Sequence, residues 1–332
     1  MAFNQYVWLL DLGLNAKAWK IDMQPTYPEL GCASAGRGIA DGDYLTEQAE
    51  AVWPRSMKNL VDHYELKTQS ILQRYGPGPR VHYHTGFVDD PRPPMTAANL
   101  RFQLIASQER MLRYASKNWQ LCCDNFRDLL DVGCGLGGSA IFWAQEFGAL
   151  VTAITIAPSH VELVAEFARQ AGVASRVTPL LCEAAAIPGE ECFDAAIAIE
   201  SSSLFPRRPW FRSLKRVLRP EGRVFISDCF LEKTAFEEPF NRHWCGQIGT
   251  IDEYVNAAEE CDFRLVKFED VSQRAATFWA TTLALIRAEA RESKPDASRL
   301  RLIHESLQVH DVMLRGLLYG GLHQALLSFV RC

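Results

Sequence analysis

The 332-residue sequence contains no C-x-x-C pair, no internal repeat, no low-complexity tract and no apolar run long enough to span a bilayer. Each absence removes a class. The ten cysteines are scattered (Cys32, Cys122, Cys123, Cys134, Cys182, Cys192, Cys229, Cys245, Cys261, Cys332), so neither a zinc site nor a disulfide framework is called for. Several lie in apolar runs, where cysteine acts as a small hydrophobe in a reducing compartment. The apolar patch Tyr6 to Leu10 is short and is followed by Asp11 and Asp22. That argues against a secretory leader and for a cytoplasmic protein. Positive charge is also in short supply: 35 Lys and Arg against 40 Asp and Glu, a net −5, which disfavours a nucleic-acid partner. What remains is a soluble globular chain, 48% hydrophobic and 23% charged, with material for one large domain or two smaller ones.

The most informative stretch is Asp128-Leu129-Leu130-Asp131-Val132-Gly133-Cys134-Gly135-Leu136-Gly137-Gly138-Ser139. An apolar strand runs into closely spaced glycines and then into an apolar helix, Ala140 to Phe147. Glycine permits positive φ there, and its missing Cβ lets a ligand lie almost on the backbone. The dinucleotide fingerprint G-x-G-x-x-G fits Gly133, Gly135 and Gly138, but it expects an acid about 20 residues on, at the end of the next strand. That strand ends in Thr155-Ile156-Ala157-Pro158, with no acid. The other ligand held this way is S-adenosylmethionine. Asp131-x-Gly133-x-Gly135-x-Gly137 resembles the first motif of the Rossmann-like class I methyltransferases, where the acid precedes the glycines. This reading is preferred over a dehydrogenase.

Alternating strands and helices follow, as a doubly wound sheet requires. Expected strands are 129–132, 151–156, 177–182, 193–199, 223–227 and 264–271, with 325–330 as a seventh, antiparallel strand. Helices are expected at 97–118, 160–171, 210–218, 250–261, 277–292 and 300–318, and Arg219-Pro220-Glu221-Gly222 as a turn of a kind frequent in methyltransferases. Before residue 80, a helical pattern covers Tyr44 to Tyr75 with a break at Pro54. Pro25 to Gly42 reads as loop, and Phe3, Tyr6, Trp8 and Trp19 as a small docking element. The expected fold is α/β: a class I methyltransferase with a seven-stranded, mostly parallel sheet. The divisions are a helical extension or cap (1–95), a cofactor-binding core (96–274), and a helical insert with the final strand (275–332).

Ligands in such sheets bind beyond the carboxyl ends of the strands. Asp131 interrupts an apolar strand, and its carboxylate is expected to hold the glycine loop through N–H groups, close to the cofactor amine. Glu200 closes the strand Ala196-Ile197-Ala198-Ile199, where a carboxylate is costly unless it is paired or useful. The loop Val81 to Phe87 carries His82, Tyr83 and His84, followed by the break 90–94. Two imidazoles at i and i+2 without nearby carboxylates make a poor metal site, so no metal ligands are assigned. This loop, and Val151 to Pro158, resemble the sterol, tocopherol and prenyl-diphosphate methyltransferases.

That resemblance implies a loop, with Tyr83 and His84, folding over the active site, and Gln108 on the following helix reaching the cofactor's methionine part. It places Thr155 at the ribose, His160 where glutamine is commoner, Glu183 with Ala184 at the adenine, and Gly133, Cys134, Gly135 and Gly137 around the cofactor. It also makes Glu200 the group that steadies a carbocation and then takes its proton. Substrate walls are expected from Phe230, Phe236, Phe240, Trp244, Phe278, Trp279, Met313 and Tyr319, with His243 (beside Asn241 and Arg242) at a polar head. The expected function is S-adenosylmethionine-dependent C-methylation of a prenyl diphosphate or terpenoid, with Mg²⁺ joining if the substrate is a diphosphate. The alternatives are O- or N-methylation of a natural product, or a non-catalytic binding protein. The expected partners are an apolar isoprenoid substrate and further copies of the chain, joined through the N-terminal extension.

Overall fold

A computed structural model describes residues 55–89, 95–121, 126–293 and 295–332. The chain divides into two compact units, Met1–Asn59 and Leu60–Cys332. The described residues 60–89 and Met95, read from the sequence as part of an extension, fall within the larger unit. The aromatics Phe3, Tyr6, Trp8 and Trp19, the 25–42 loop, the helical pattern before Pro54 and the 90–94 break lie outside the described residues. So does most of the stretch given a subunit-joining role.

Seven strands form one sheet: β1 (Asp128–Val132), β2 (Leu150–Thr155), β3 (Val177–Leu181), β4 (Phe193–Ile199), β5 (Leu218–Leu231), β6 (Phe263–Asp270) and β7 (Leu322–Arg331), in the order β3-β2-β1-β4-β5-β7-β6. Strands β1 to β5 pair in parallel, and β7 runs antiparallel to β5 and β6. The period-2 alternation of a strand decides which core each residue enters. Leu129, Val151, Ala195 and Ile197 pack on one face, and Leu130, Ile154, Ala196 and Ala198 on the other. Fully burying each large apolar side chain contributes roughly 1.5–3 kcal/mol. Trp143 and Trp210 are fully buried in the two cores.

The helices are α1 (Arg55–Tyr75), α2 (Ala97–Trp119), α3 (Gly138–Phe147), α4 (Pro158–Gln170), α5 (Arg207–Val217), α6 (Glu237–Trp244), α7 (Ile251–Glu259), α8 (Ser272–Ser293) and α9 (Ala297–Leu318). Thr96 caps α2, accepting from the Asn99 N–H, and Thr250 with Glu253 forms a capping box on α7. Helices α8 and α9 are the insert between β6 and β7. Strand β5 is longer than expected, because residues 219–222 lie inside it rather than before it. The register against β4 jumps from Phe193↔Leu218 to Ala195↔Arg223, so the extra residues form a bulge, with Glu221 at φ 60°.

Candidate active site

The carboxyl ends of β1, β4 and β5 open into a cavity of about 800 Å³. Its floor is the glycine loop. Gly133, Gly135 and Gly137 have φ of 74°, 52° and 79°, in the left-handed region that favours glycine. A Cβ on Gly133 would meet Ser201 Cβ at 2.6 Å, whereas one on Gly135 would meet nothing within 4 Å. Gly135 is therefore where the loop opens to a ligand. The Gly133 and Cys134 N–H groups both donate to the Ile154 carbonyl, at 3.0 and 2.9 Å. This corrects the role expected of Asp131: the β1–β2 ladder continues into the turn and satisfies those donors. Asp131, 1% exposed, instead accepts from Ser139 Oγ at 2.6 Å. Burial raises its carboxyl to about 7, against the pull of that hydroxyl.

Glu200 follows the end of β4 and lines the same cavity as the loop. Its φ of 48° is rare for a non-glycine residue, and the turn is held by its N–H, which donates to Ser227 O at 2.7 Å. Its Oε1 accepts from Gln324 Nε2 at 2.9 Å. Burial, then the neighbouring Asp228 charge, raise this carboxyl to about 7. Asp228 is saturated with donors: Oδ2 accepts from Ser202 N (2.9 Å), Ser202 Oγ (2.6 Å) and Ser203 N (3.3 Å), and Oδ1 from Cys229 N (2.7 Å). It pins the turn that follows Glu200. Tyr75 and Tyr83, with ring centroids 6.0 Å apart, also line the cavity, and burial raises the pKa of each, with the Glu200 charge adding to it.

From Leu60 onward, α1 roofs the cavity. Glu65 accepts from the Ser159 N–H at 3.0 Å, Thr68 Oγ1 meets His160 Nε2 at 2.9 Å, and Lys67 Nζ donates to His243 O at 3.2 Å. Burial lowers Lys67 to about 8 and His243 to about 3. Trp244, Trp279, Phe240, Phe278 and Met313 form an apolar wall, and Arg74 and Arg101 both pair with Glu289, at 3.4 and 2.7 Å.

Of the residues singled out from the sequence, Gly133, Cys134, Gly135, His160, Tyr83, His84, Glu200, His243 and Trp244 line the cavity. Gly137 sits behind them as the N-cap of α3. Phe230 is a correction. It is fully buried on the opposite side of β5, edge-on to Tyr254 at 5.0 Å, because strand parity turns it into the second core. Phe236 packs over Gly321, Tyr319 is 73% exposed, and Asn241 is engaged with the Ile248 N–H. Gln108 is also placed otherwise than expected. Its Nε2 donates to His82 O (3.2 Å) and His84 O (2.8 Å), so it anchors the 81–87 loop, while its Oε1 is buried without a partner among the described residues. A carboxylate does lie near that loop, since Glu109 Oε1 is 3.8 Å from His82 Nε2. Thr155 accepts from Ala157 N at 3.2 Å, and Glu183 with Ala184 opens a short turn after β3, tied to the Thr155 carbonyl through Cys182 N. These three stand at strand ends but not on the cavity wall.

A methyltransferase-domain family model matches residues 129–222. The 27-O-demethylrifamycin SV methyltransferase of Amycolatopsis mediterranei is 30% identical over 205 residues, which is 56% of this chain and 75% of that one. The chain belongs to the S-adenosylmethionine-dependent methyltransferases. Tocopherol O-methyltransferase of Arabidopsis thaliana is 28% identical over 222 residues, 61% of this methyltransferase and 63% of that relative, so the match spans less than two thirds of it. The fold also matches a geranyl diphosphate C-methyltransferase from Streptomyces coelicolor A3(2), solved with Mg²⁺, geranyl-S-thiolodiphosphate and S-adenosyl-L-homocysteine. That likeness has a TM-score of 0.72 at 15% identity and covers 84% of this chain and 99% of the other.

The residues of this methyltransferase suit S-adenosylmethionine. The open face at Gly135, on the lining of the cavity, admits a ligand against the backbone. Sequence reasoning did not single out Lys67, Tyr75, Asp228 or Gln324. Asp228 carried a usable signal, since it is an acid inside the apolar run Val224 to Leu231, as Asp131 is in β1. Gln324 carried none, as a lone amide on a strand far along the chain.

Proposed function

We propose that this methyltransferase methylates a carbon of an isoprenoid double bond, with Glu200 as the group that meets the resulting positive charge. The observation that carries this is the placement of Glu200. It is a carboxylate at left-handed φ, held by Gln324 and close to Tyr75 and Tyr83, on the lining of the same cavity as the open Gly135. Bound S-adenosylmethionine supplies an electrophilic methyl group on a sulfonium. Methylating a double bond leaves a cation on the neighbouring carbon, and an ionised Glu200 stabilises it electrostatically and then takes the adjacent proton. The Tyr75 and Tyr83 ring faces add cation–π attraction. A carboxyl raised to about 7 suits this work, because a base near the working pH both ionises and accepts a proton. The apolar wall of Phe240, Trp244, Phe278, Trp279 and Met313 supports an oily substrate. The fold likeness to the geranyl diphosphate enzyme is consistent with such a substrate.

The second reading is O-methylation of a natural product, favoured by the relatives of that activity and consistent with Glu200 as the base for a hydroxyl. Methyl transfer from labelled S-adenosylmethionine to isoprenoid diphosphates, free terpenoids, phenols and amines, with mass analysis of the methylated atom, separates the two. Label on oxygen or nitrogen alone overturns the carbon reading.

A further inference from the structure

Strand β7 lies two strands away from β4, yet it sends one side chain to the candidate base. Gln324 is 2% exposed and lines the cavity, and its Nε2 donates to Glu200 Oε1 at 2.9 Å. Its backbone is locked on both sides. The Gln324 N–H donates to Ser272 Oγ at 3.0 Å, the Gln324 carbonyl accepts from Val271 N at 2.8 Å, and the residue pairs with Cys229 on β5. Its Oε1 is buried with no partner among the described residues, so one side of the amide is committed to Glu200 alone. A buried amide that leaves its own oxygen unsatisfied loses stability, on the order of 1–3 kcal/mol. Its retention here has a reason if the donor side does something specific.

We infer that Gln324 is the positioning residue for Glu200, occupying one carboxylate oxygen so that the other points at substrate, and favouring the ionised form. The second half follows from chemistry. An amide N–H donated to a carboxylate is a charge-assisted bond, stronger than the same bond to the neutral acid, and it opposes burial and the like charge of Asp228. Apart from Thr85, the other groups facing Glu200 give no such help. Asp228 repels it, and the Cys229 thiol, Tyr75 and Tyr83 are neutral groups that its charge disfavours from ionising. Thr85 also favours its charge, but from the 81–87 loop rather than from the sheet. Gln324 thus carries this task from a strand, where precision is greatest. The catalytic part of the inference rests on Glu200 being the base, and the positioning part does not.

The test uses the full-length protein with ¹³C-labelled glutamate, the Glu200 carboxyl signal being assigned by its loss in Glu200→Gln. Gln324→Met removes the donor and keeps the shape. The Glu200 titration midpoint then rises by about one pH unit, and the acid limb of the single-turnover rate profile rises with it, so that activity lost at pH 7 returns near pH 9. An unmoved carboxyl midpoint in folded Gln324→Met overturns the inference. A midpoint that moves while the rate profile stays supports the positioning role and removes Glu200 as the base instead. If Gln324→Met does not fold, wild-type protein decides the matter. The ¹⁵N signal of the Gln324 side-chain amide must titrate with the Glu200 midpoint, and an amide indifferent to that midpoint overturns the pairing.

Discussion

Thr68 Oγ1 and His160 Nε2 lie 2.9 Å apart, and this contact joins the helix roofing the cavity to the helix that follows β2. With Glu65 on the Ser159 N–H, it fastens α1 to α4, while Lys67 on the His243 carbonyl fastens it to α6. A roof tied at both edges must loosen for ligands to pass. Thr68→Val keeps the shape and removes one tie. The expected outcome is S-adenosylmethionine dissociating about 3- to 10-fold faster by stopped-flow, as loss of one hydrogen bond implies, with little change in melting temperature. An unchanged dissociation rate would remove α1 from cofactor retention.

Gly135→Val tests the floor. The site for a Cβ is open, so no protein atom resists the new side chain, but φ of 52° strains a β-branched residue. The valine would stand in the space that the methionine and ribose of the cofactor need. The expected outcome is a folded, somewhat destabilised protein that shows no S-adenosylmethionine binding by calorimetry. Normal affinity in a folded variant would sink the assignment of the loop.

Stability should depend on pH through the buried acids. Glu200 rises from 4.5 to about 7 in the folded protein, and Asp131 from 3.8 to about 7. The native state then holds protons that the unfolded chain has lost, so stability falls as pH rises from about 4 through 7. Glu200→Gln removes this penalty, on the order of 2–3 kcal/mol above pH 7. In chemical denaturation the variant should exceed wild type at pH 8, and its advantage should vanish near pH 4. The opposite trend would mean that Glu200 is stabilised in its ionised form by the fold.

How far this site was readable from the chain depends on whether a residue's task is local. Strand β4 is found at Phe193–Ile199 as expected, because the apolar run Ala195 to Ile199 between the acids Asp194 and Glu200 reads the same way in either description. Glu200 and Asp131 stand out because a carboxylate in an apolar strand has few structural uses. Phe230 was misplaced because composition names an aromatic residue but strand parity decides which core it enters. Gln108 was assigned to the cofactor because a helical position does not reveal that the preceding loop folds back onto it and uses its donor. Gln324 and Lys67 reach the cavity only through the pairing of β7 with β5 and the folding of α1 over α4 and α6, both contacts distant in sequence.

A prenyl diphosphate would bring strong negative charge into a cavity whose cations are partly engaged. Arg74 and Arg101 share Glu289, while Arg299 and Lys67 face Glu200, Asp228, Glu289 and Glu292 on the same lining. Side chains alone leave such a head under-neutralised, and Mg²⁺ binds phosphate oxygens readily. Activity on diphosphates should fall in EDTA and return with added Mg²⁺, while activity on a free terpenoid alcohol should be indifferent to both. Full diphosphate activity in chelator would leave the arginines and Lys67 as the neutralising groups.

Glu200→Gln separates reactions that need a base, carbon methylation above all, from methylation of an amine that does not. For carbon methylation the variant keeps the shape and an acceptor for Gln324, but it loses the charge that faces the cation and the base that takes its proton. Removal of a positioned general base typically costs about 10²–10⁴-fold, and the lost electrostatic stabilisation adds to that. For methylation of an amine that is already nucleophilic, alignment does most of the work and the same change costs far less. S-adenosylmethionine affinity should stay near wild type in both cases, since Glu200 is assigned to the substrate side. The deciding measurement is the single-turnover rate at saturating S-adenosylmethionine across pH 6 to 9. Wild type should lose activity below about pH 7 as Glu200 takes up a proton, and the variant should be slow and flat. A near-normal rate in Glu200→Gln would end the carbocation reading, and a lost cofactor site would place Glu200 beside the other ligand.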